Sequence, residues 1–590
     1  MIVPSRILWC GLGALMVAFH LSLIFIGLVP NLLARPLHMA FALPWILIFA
    51  ARAGVERISG ILFCALGVAA CLYIAANEAA LSDQYGSLNG TLQLAVAVVL
   101  ITVVLETARR AIGWPLPLVA ALALAYGLFG AHLPGEFGHP GLPLASFLGS
   151  LTVSEGGIWG QLTGVSVSII SIFVIFGAVL NSGEAGQGFM NLAAAAAGRL
   201  RGGAAKVSVL SSALFGSISG SASANVASTG AVTLPAMTRL GYPKALAGAV
   251  EAVASSGGQI MPPLMGAGAF VMVELTGVPY TGIMAAAALP ALLYFATVWF
   301  GINAYATRYD LLPLAGADQP SGRDVLVTSL FFVVPFSVLL ERMFIGDFTP
   351  QYAASVAILA ALVMLFFDRT LSWSLPRTAE RLESACLMAG KQIATIASII
   401  LCASLIIGVL GMTGLGVKIT SFILSASGDR LWPALLLTGL ACLVLGMEVP
   451  TTAAYVICVS VAGPALQKLG LDPLLAHMFV FWFALLSTIT PPVCGAVFIA
   501  AGMVGEDWLK VALTAMCLGV GLYVIPLAMV ANPALIAPMG EPVLALFSLL
   551  KVGVGLILIS FGLIGRYVLW RRVAMTAAGL AAALMTAIPV

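Results

Sequence analysis

The chain has 590 residues, 61% of them hydrophobic and 8% charged, against roughly 25% charged residues in an ordinary soluble domain. Apolar stretches long enough for a hydrocarbon layer of about 30 Å recur from end to end, which excludes a soluble protein and predicts an all-α polytopic membrane protein held in the lipid bilayer. A net charge of +3, with Lys and Arg spread over short connections rather than gathered in a patch, excludes nucleic acid as a partner and leaves the charges to report topology.

The first stretch, Leu8 to Val29, is too long for the core of a signal peptide and reads as a true span. Four more follow near 39–51, 58–77, 92–108 and 114–131, making residues 1–135 a small helical module. Arg52 and Arg57 share one connection and Arg109 and Arg110 another, while Glu78 and Asp83 lie between. The basic connections therefore face the cytoplasm, with Arg35, read in the first connection, as the exception. A Gly- and Pro-containing stretch, His132 to Pro143, opens a linker over 136–160. The larger region beyond it divides near the polar segment Asp368 to Ser384 into units 161–380 and 381–540, and 541–590 is a transmembrane tail. Nine cysteines are scattered singly with no CxxC, and five histidines are isolated. Zinc, redox and catalytic chemistry find no support, and no GxxxxGK[ST] motif offers an ATP site.

The two units repeat one another. In the first, SISGSASAN (Ser217 to Asn225) precedes a proline pair by 41 residues, counted from Ser221 to Pro262; in the second, Pro450 of GMEVPTT precedes Pro491 by the same 41. The text around the pairs also matches, MPPLMGA against TPPVCGA. Each unit begins with a hydrophobic segment interrupted by small and polar residues, which suits a re-entrant helical hairpin: one over about 203–238, one over about 431–466. Arg199, Arg201, Lys206, Arg239 and Lys244 at the feet of the first put its opening in the cytoplasm; Asp429 and Asp472 offset Arg430 and Lys468 at the second. Opposite orientations follow, as in inverted-topology repeats.

Backbone freed from helical bonding persists at membrane depth only where protein, water or a ligand satisfies it, so the breaks advertise a site. At the first tip Ser217, Ser219, Gly220, Ser221 and Asn225 offer oxygens, and the facing break supplies Ser255, Ser256 and Gly258 before Pro262. Hard cations want such oxygens, and the set suits one sodium ion. The second unit repeats the ingredients with Gly446, Glu448, Thr451 and Thr452 at the tip and Ser487, Thr488 and Thr490 before Pro491, a second cation site. Between the tips, Ser221, Ser223, Asn225, Gln259, Pro262, Thr452 and Pro491 are the candidates to meet an anionic substrate, which half-helix N-termini attract. A lone Gly/Ser run is more simply a close helix contact, and a lone Pro pair a kink; the matched spacing favours the site. Glu251 and Glu448 sit in apolar surroundings where a charge costs about 2.5–3.5 kcal/mol. Each reads equally as a proton or sodium carrier and as a buried hydrogen-bonding group.

The runs FGSISGSASANVASTGAVTLPAM and GAVEAVASSGGQIMPPLMGAGAF resemble the large membrane subunit of the TRAP (tripartite ATP-independent periplasmic) transporters, and SGSASAN with EAVASSGGQIMPP resembles the TAXI subclass. The likeness is strongest over about 160–300 and clear over about 385–530. It implies an elevator-type carrier with small and large subunits fused, sodium as the coupling ion and no other cofactor. It also implies a periplasmic TAXI-type binding protein that delivers a small carboxylate. The runner-up is a proton-coupled carrier using Glu448 or Glu251. Each net charge moved inward gains about 2.3 kcal/mol per 100 mV, which supports roughly 50-fold accumulation at about 1.4 kcal/mol per tenfold.

Overall fold

The computed structural model describes residues 3–314, 319–446, 449–492 and 494–586. Among them the chain is helical, with a single β-bridge between Phe367 and Trp373. Eleven of the described helices are long and apolar enough to cross a bilayer. Five belong to the N-terminal module: Arg6–Phe25, Asn31–Phe49, Val55–Ala76, Gly90–Ile112 and Pro115–His132. The second starts at Asn31, ahead of the expected 39, and so takes in Arg35, which is not in a connection but within the helix and buried. Its guanidinium donates to Glu155 at 3.2 Å and to the carbonyl of Trp159, and these partners are what allow a cation to lie inside a span.

The expected linker 136–160 is part of the packing. It holds helix Leu144–Thr152, set against Gly90–Ile112, and a fully buried Trp159 whose indole donates to Thr152 O at 2.6 Å. The boundary expected at 380/381 falls inside one continuous helix, Leu375–Thr413. The polar stretch that suggested a break is the charged foot of this helix, where Arg381 pairs with Glu184 at 2.5 Å and Arg6 pairs with Glu383. The helix is the central post. It carries Val3–Phe25, Asn31–Pro44, Gly90–Ile112 and Pro115–Phe129 of the N-terminal module as well as Ser171–Ser182 of the larger region.

Both interrupted segments are helical hairpins. The first has arms Gly203–Ser219 and Ala222–Arg239, the second Leu431–Leu445 and Thr451–Lys468. Each is followed by a helix that faces it, Lys244–Gly257 and Pro473–Leu485, which tightens into a 3-10 turn and stops at a proline pair, both pairs with a cis bond. Helix then resumes as Ala267–Thr276 and Gly495–Val504. Gly505, at the end of the second unit's resumed helix, lies beside Lys244 at the start of the first unit's facing helix. The two units thus run in opposite directions.

Candidate functional site

The first hairpin turns on Gly220, whose left-handed φ of 60° would strain any side chain. Ser221 caps the second arm, its hydroxyl accepting from Ala224 N at 3.4 Å. The tip presses on the facing break through glycines: a Cβ on Gly216 would collide with Gly258 Cα, and one on Gly220 would lie 3.3 Å from Gly266 Cα and Met265 O. Backbone meets backbone because neither surface carries a side chain. The loop of the proline pair is held from outside by Tyr280, whose hydroxyl bonds the carbonyls of Pro263 (2.8 Å) and Leu264 (2.5 Å), and from inside by Gly266 N donating to Gln259 O at 2.8 Å.

The residues expected at the first site divide into two groups. Ser219, Gly220, Ser221 and Ser223 lie at the tip, and Ser219 Oγ is buried without a hydrogen-bond partner. Ser221 and Ser223 are exposed, and Ser223 Oγ reaches toward Gly495 of the other unit. Gly258, Gln259 and Pro262 line the facing break. The others are turned inward. Ser217 donates to Leu214 O (2.7 Å), Asn225 is fully buried with its amide donating to Ser212 O (2.9 Å), and Ser255 donates to Glu251 (3.3 Å).

At the second unit Gly446 seats on Ser487, a Cβ on it lying 3.2 Å from Ser487 Cβ, as Gly216 seats on Gly258. Thr451 and Thr452 begin the second arm next to this seat. Ser487 donates to Ala484 O (2.8 Å) and Thr490 pairs with Tyr523 OH (2.6 Å), away from the tip, just before Pro491. Glu448 lies outside the described residues. Thr488 makes the contact that sequence spacing did not reveal: its hydroxyl donates to Ser256 Oγ at 2.7 Å while Ser256 donates to Ala252 O at 2.8 Å. Among the described residues one hydrogen bond, from Thr488 to Ser256, joins the two helix breaks, one from each unit.

Glu251, read equally as an ion carrier and as a buried hydrogen-bonding group, has surroundings that the sequence reading did not name. Glu251 is fully buried, and five hydroxyls converge on it. Ser208 (2.8 Å) and Thr233 donate to Oε2; Ser212 (3.4 Å), Ser255 (3.3 Å) and Thr229 donate to Oε1. Three four-residue spacings, Ser208/Ser212, Thr229/Thr233 and Glu251/Ser255, put each pair on one face of its helix, and that periodicity was the available signal. The carboxyl found here is a hydrogen-bonding centre tying both arms of the hairpin to the facing helix. A cavity of about 270 Å³ lies elsewhere, lined by Phe270, Tyr280, Met343 and Phe348. Its acidic side chain, Asp347, makes it unsuited to a carboxylate.

Comparison with known proteins assigns this architecture. The family model described as "Tripartite ATP-independent periplasmic transporter, DctM component" matches residues 99–543. The chain is 28% identical over 344 residues to the C4-dicarboxylate TRAP transporter large permease protein DctM of Pseudomonas aeruginosa, covering 57% of this chain and 77% of that one. It is 25% identical over 382 residues to the isethionate TRAP transporter permease protein DctMQ of Oleidesulfovibrio alaskensis, covering 63% and 58%. It is also 22% identical over 345 residues to the sialic acid TRAP transporter large permease protein SiaM of Vibrio cholerae, covering 58% and 78%. The relatives are permeases rather than enzymes, and the chain belongs to the DctM family of TRAP transporters, multi-pass bacterial inner-membrane proteins of ATP-independent organic-acid transport that work with a periplasmic binding protein.

Proposed function

We propose that this chain is a fused small-and-large permease of the TAXI subclass that imports a small carboxylate on a sodium gradient by an elevator motion. The substrate would arrive on a TAXI-type periplasmic binding protein. The observation that carries the reading is the paired seating of two hairpin tips on two helix breaks, bridged by Thr488 and Ser256. The hydroxyls of Ser219, Ser221 and Ser223 at the first tip, Ser219 Oγ buried and unpartnered among the described residues, are the hard oxygens sodium takes. Broken helices at membrane depth are where secondary carriers bind ion and substrate.

Fusion is supported by the five spans of the N-terminal module, most of which precede the family match. The subclass rests on the wording SGSASAN and EAVASSGGQIMPP. A small organic anion is in keeping with relatives named for C4-dicarboxylates, isethionate and sialic acid, and the exposure of Ser221 and Ser223 at the first tip supports their meeting it. The test is uptake into proteoliposomes carrying this chain, with its cognate binding protein, with and without an inward sodium gradient at constant pH and voltage. Uptake requiring both supports the proposal. Uptake indifferent to sodium and driven by a proton gradient replaces it with the proton-coupled reading.

A further inference from the structure

We infer that Glu251 is a positioning residue that acts through Thr229 and Asn225 to hold the first hairpin's tip at a fixed distance from the facing helix break, and so sets the affinity of that tip for sodium. This rests on the sodium reading proposed above. The three residues form a continuous strut. Thr229 Oγ1 packs between the Glu251 carboxylate on one side and Asn225 on the other, 2.8 Å from Asn225 O and 3.4 Å from Asn225 Oδ1, its one proton donated to one of these acceptors at a time. Asn225 then donates from Nδ2 to Ser212 O on the opposite arm (2.9 Å) and fills the space beside Gly216 and Gly258, where tip and break touch. All three are buried, Glu251 and Asn225 completely. None of them reaches the tip's open side, so their influence on a ligand there is exerted through the Gly216–Gly258 contact.

The repeat supplies an internal control. At the spacing that separates Pro262 from Pro491, the places of Asn225, Thr229, Thr233, Glu251 and Ser255 are taken in the second unit by Ala454, Cys458, Ala462, Val480 and Ala484. The strut is lost there as a whole. On the first arm, Cys442 lies against Cys458 as Ser212 lies against Thr229, which places Thr438 where Ser208 stands; Thr438 Oγ1 is buried with no hydrogen-bond partner among the described residues. A hairpin, a facing helix and a proline break therefore form without this group, so its presence in the first unit is not a requirement of the fold. A buried carboxyl is expensive to keep in such surroundings, and what it adds on the page is the fixed geometry of one tip.

The experiment is equilibrium binding of radioactive sodium to the purified full chain, by scintillation proximity in choline buffer, for the wild type, Thr229→Val and Thr229→Ser, with thermal unfolding recorded for each. Thr229→Val removes the central link and leaves Glu251 Oε1 with only the longer bonds from Ser212 and Ser255, so half-saturating sodium should rise about tenfold; Thr229→Ser keeps the hydroxyl and should restore the wild-type value. A group that served stability alone would lower the melting temperature of Thr229→Val and leave sodium binding by the folded protein unchanged. That result, with a wild type that binds, overturns the strut and leaves the sodium reading standing. A wild type with no saturable sodium binding overturns both. Glu251→Gln, which keeps the shape and one acceptor oxygen, should fall between the two threonine variants; binding by it equal to wild type would likewise count against the strut.

Discussion

The first tip is a contact between two glycine backbones, and side chains cannot enter it. Gly258→Ala would drive a methyl group into Gly216 and the Asn225 amide, and overpacking of this kind costs about 1–3 kcal/mol. Because the clash is confined to the contact between tip and break and the spanning helices are untouched, the variant should fold and insert but lose most sodium-driven uptake, measured in proteoliposomes beside its size-exclusion profile. Ser219→Ala makes the opposite case. The hydroxyl is buried without a partner, so removing it should leave thermal stability within about 0.5 kcal/mol of wild type while weakening sodium binding, if the hydroxyl is kept for the ion. Equal sodium affinity in the alanine variant would remove Ser219 from the site. At this scale the sequence was readable where the chemistry is local. Gly220, Ser221 and the proline pairs announce a turn and a break by residue type alone. It was unreadable where one side chain has two uses: Asn225 has the oxygen a cation wants, yet it is fully buried with its amide nitrogen donating to Ser212 O. Only the arrangement of three helices decides between those uses.

Helices pack closely here because small residues let backbones approach, as expected where lipid removes the hydrophobic drive between spans. On the central post Leu375–Thr413, Gly390 receives the indole of Trp45, and on the first helix a Cβ at Gly13 would lie 2.5 Å from Cys386 O. Gly390→Val should therefore push the second helix of the N-terminal module off the post and lower the melting temperature by several degrees, about 2–4 °C for each kcal/mol lost in a chain of 150–250 residues and less in a longer one. A bundle indifferent to this change would mean that the module does not dock through Trp45. The post itself was misread as a domain boundary because its foot is charged: Arg377, Arg381 and Glu383 resemble a linker until their partners Asp368, Glu184 and Arg6 are seen. The hairpins were read almost to the residue, since a period that stops at Gly or Pro and resumes is visible without knowing what it packs against. The hydroxyl cage around Glu251 has its own four-residue periodicity, but the three helices that carry it are joined only in space.

As a whole the molecule is a pair of inverted units set beside a module that is fastened to them at several heights. Near one face Arg6 pairs with Glu383; within the apolar layer His20 bonds His38 (2.8 Å), which bonds Ser166 (3.1 Å); near the other face Arg35 and Asn31 bond Glu155. The Arg6–Glu383, His38–Ser166 and Glu155 contacts join the module to residues beyond 144, with His20 bracing His38 from within the module, and none depends on the covalent chain between. The connection runs through an exposed turn at Pro134 and Gly135, where the glycine has a φ of 76° and nothing within 4 Å of a Cβ. A protease site inserted between these two residues would spare the Tyr126 hydroxyl that bonds Phe137 O and the Lys418 ammonium that bonds Gly138 O at 2.5 Å. After cleavage the two pieces should still elute together from size exclusion in mild detergent, and uptake with the binding protein should stay within about twofold, a change below 0.5 kcal/mol. Such a result means that packing, not the linker, makes the module one body with the scaffold. This is what the fusion proposed above, of a small subunit to a large one, requires. Pieces that separate on cleavage would show that the fusion itself holds the module in place.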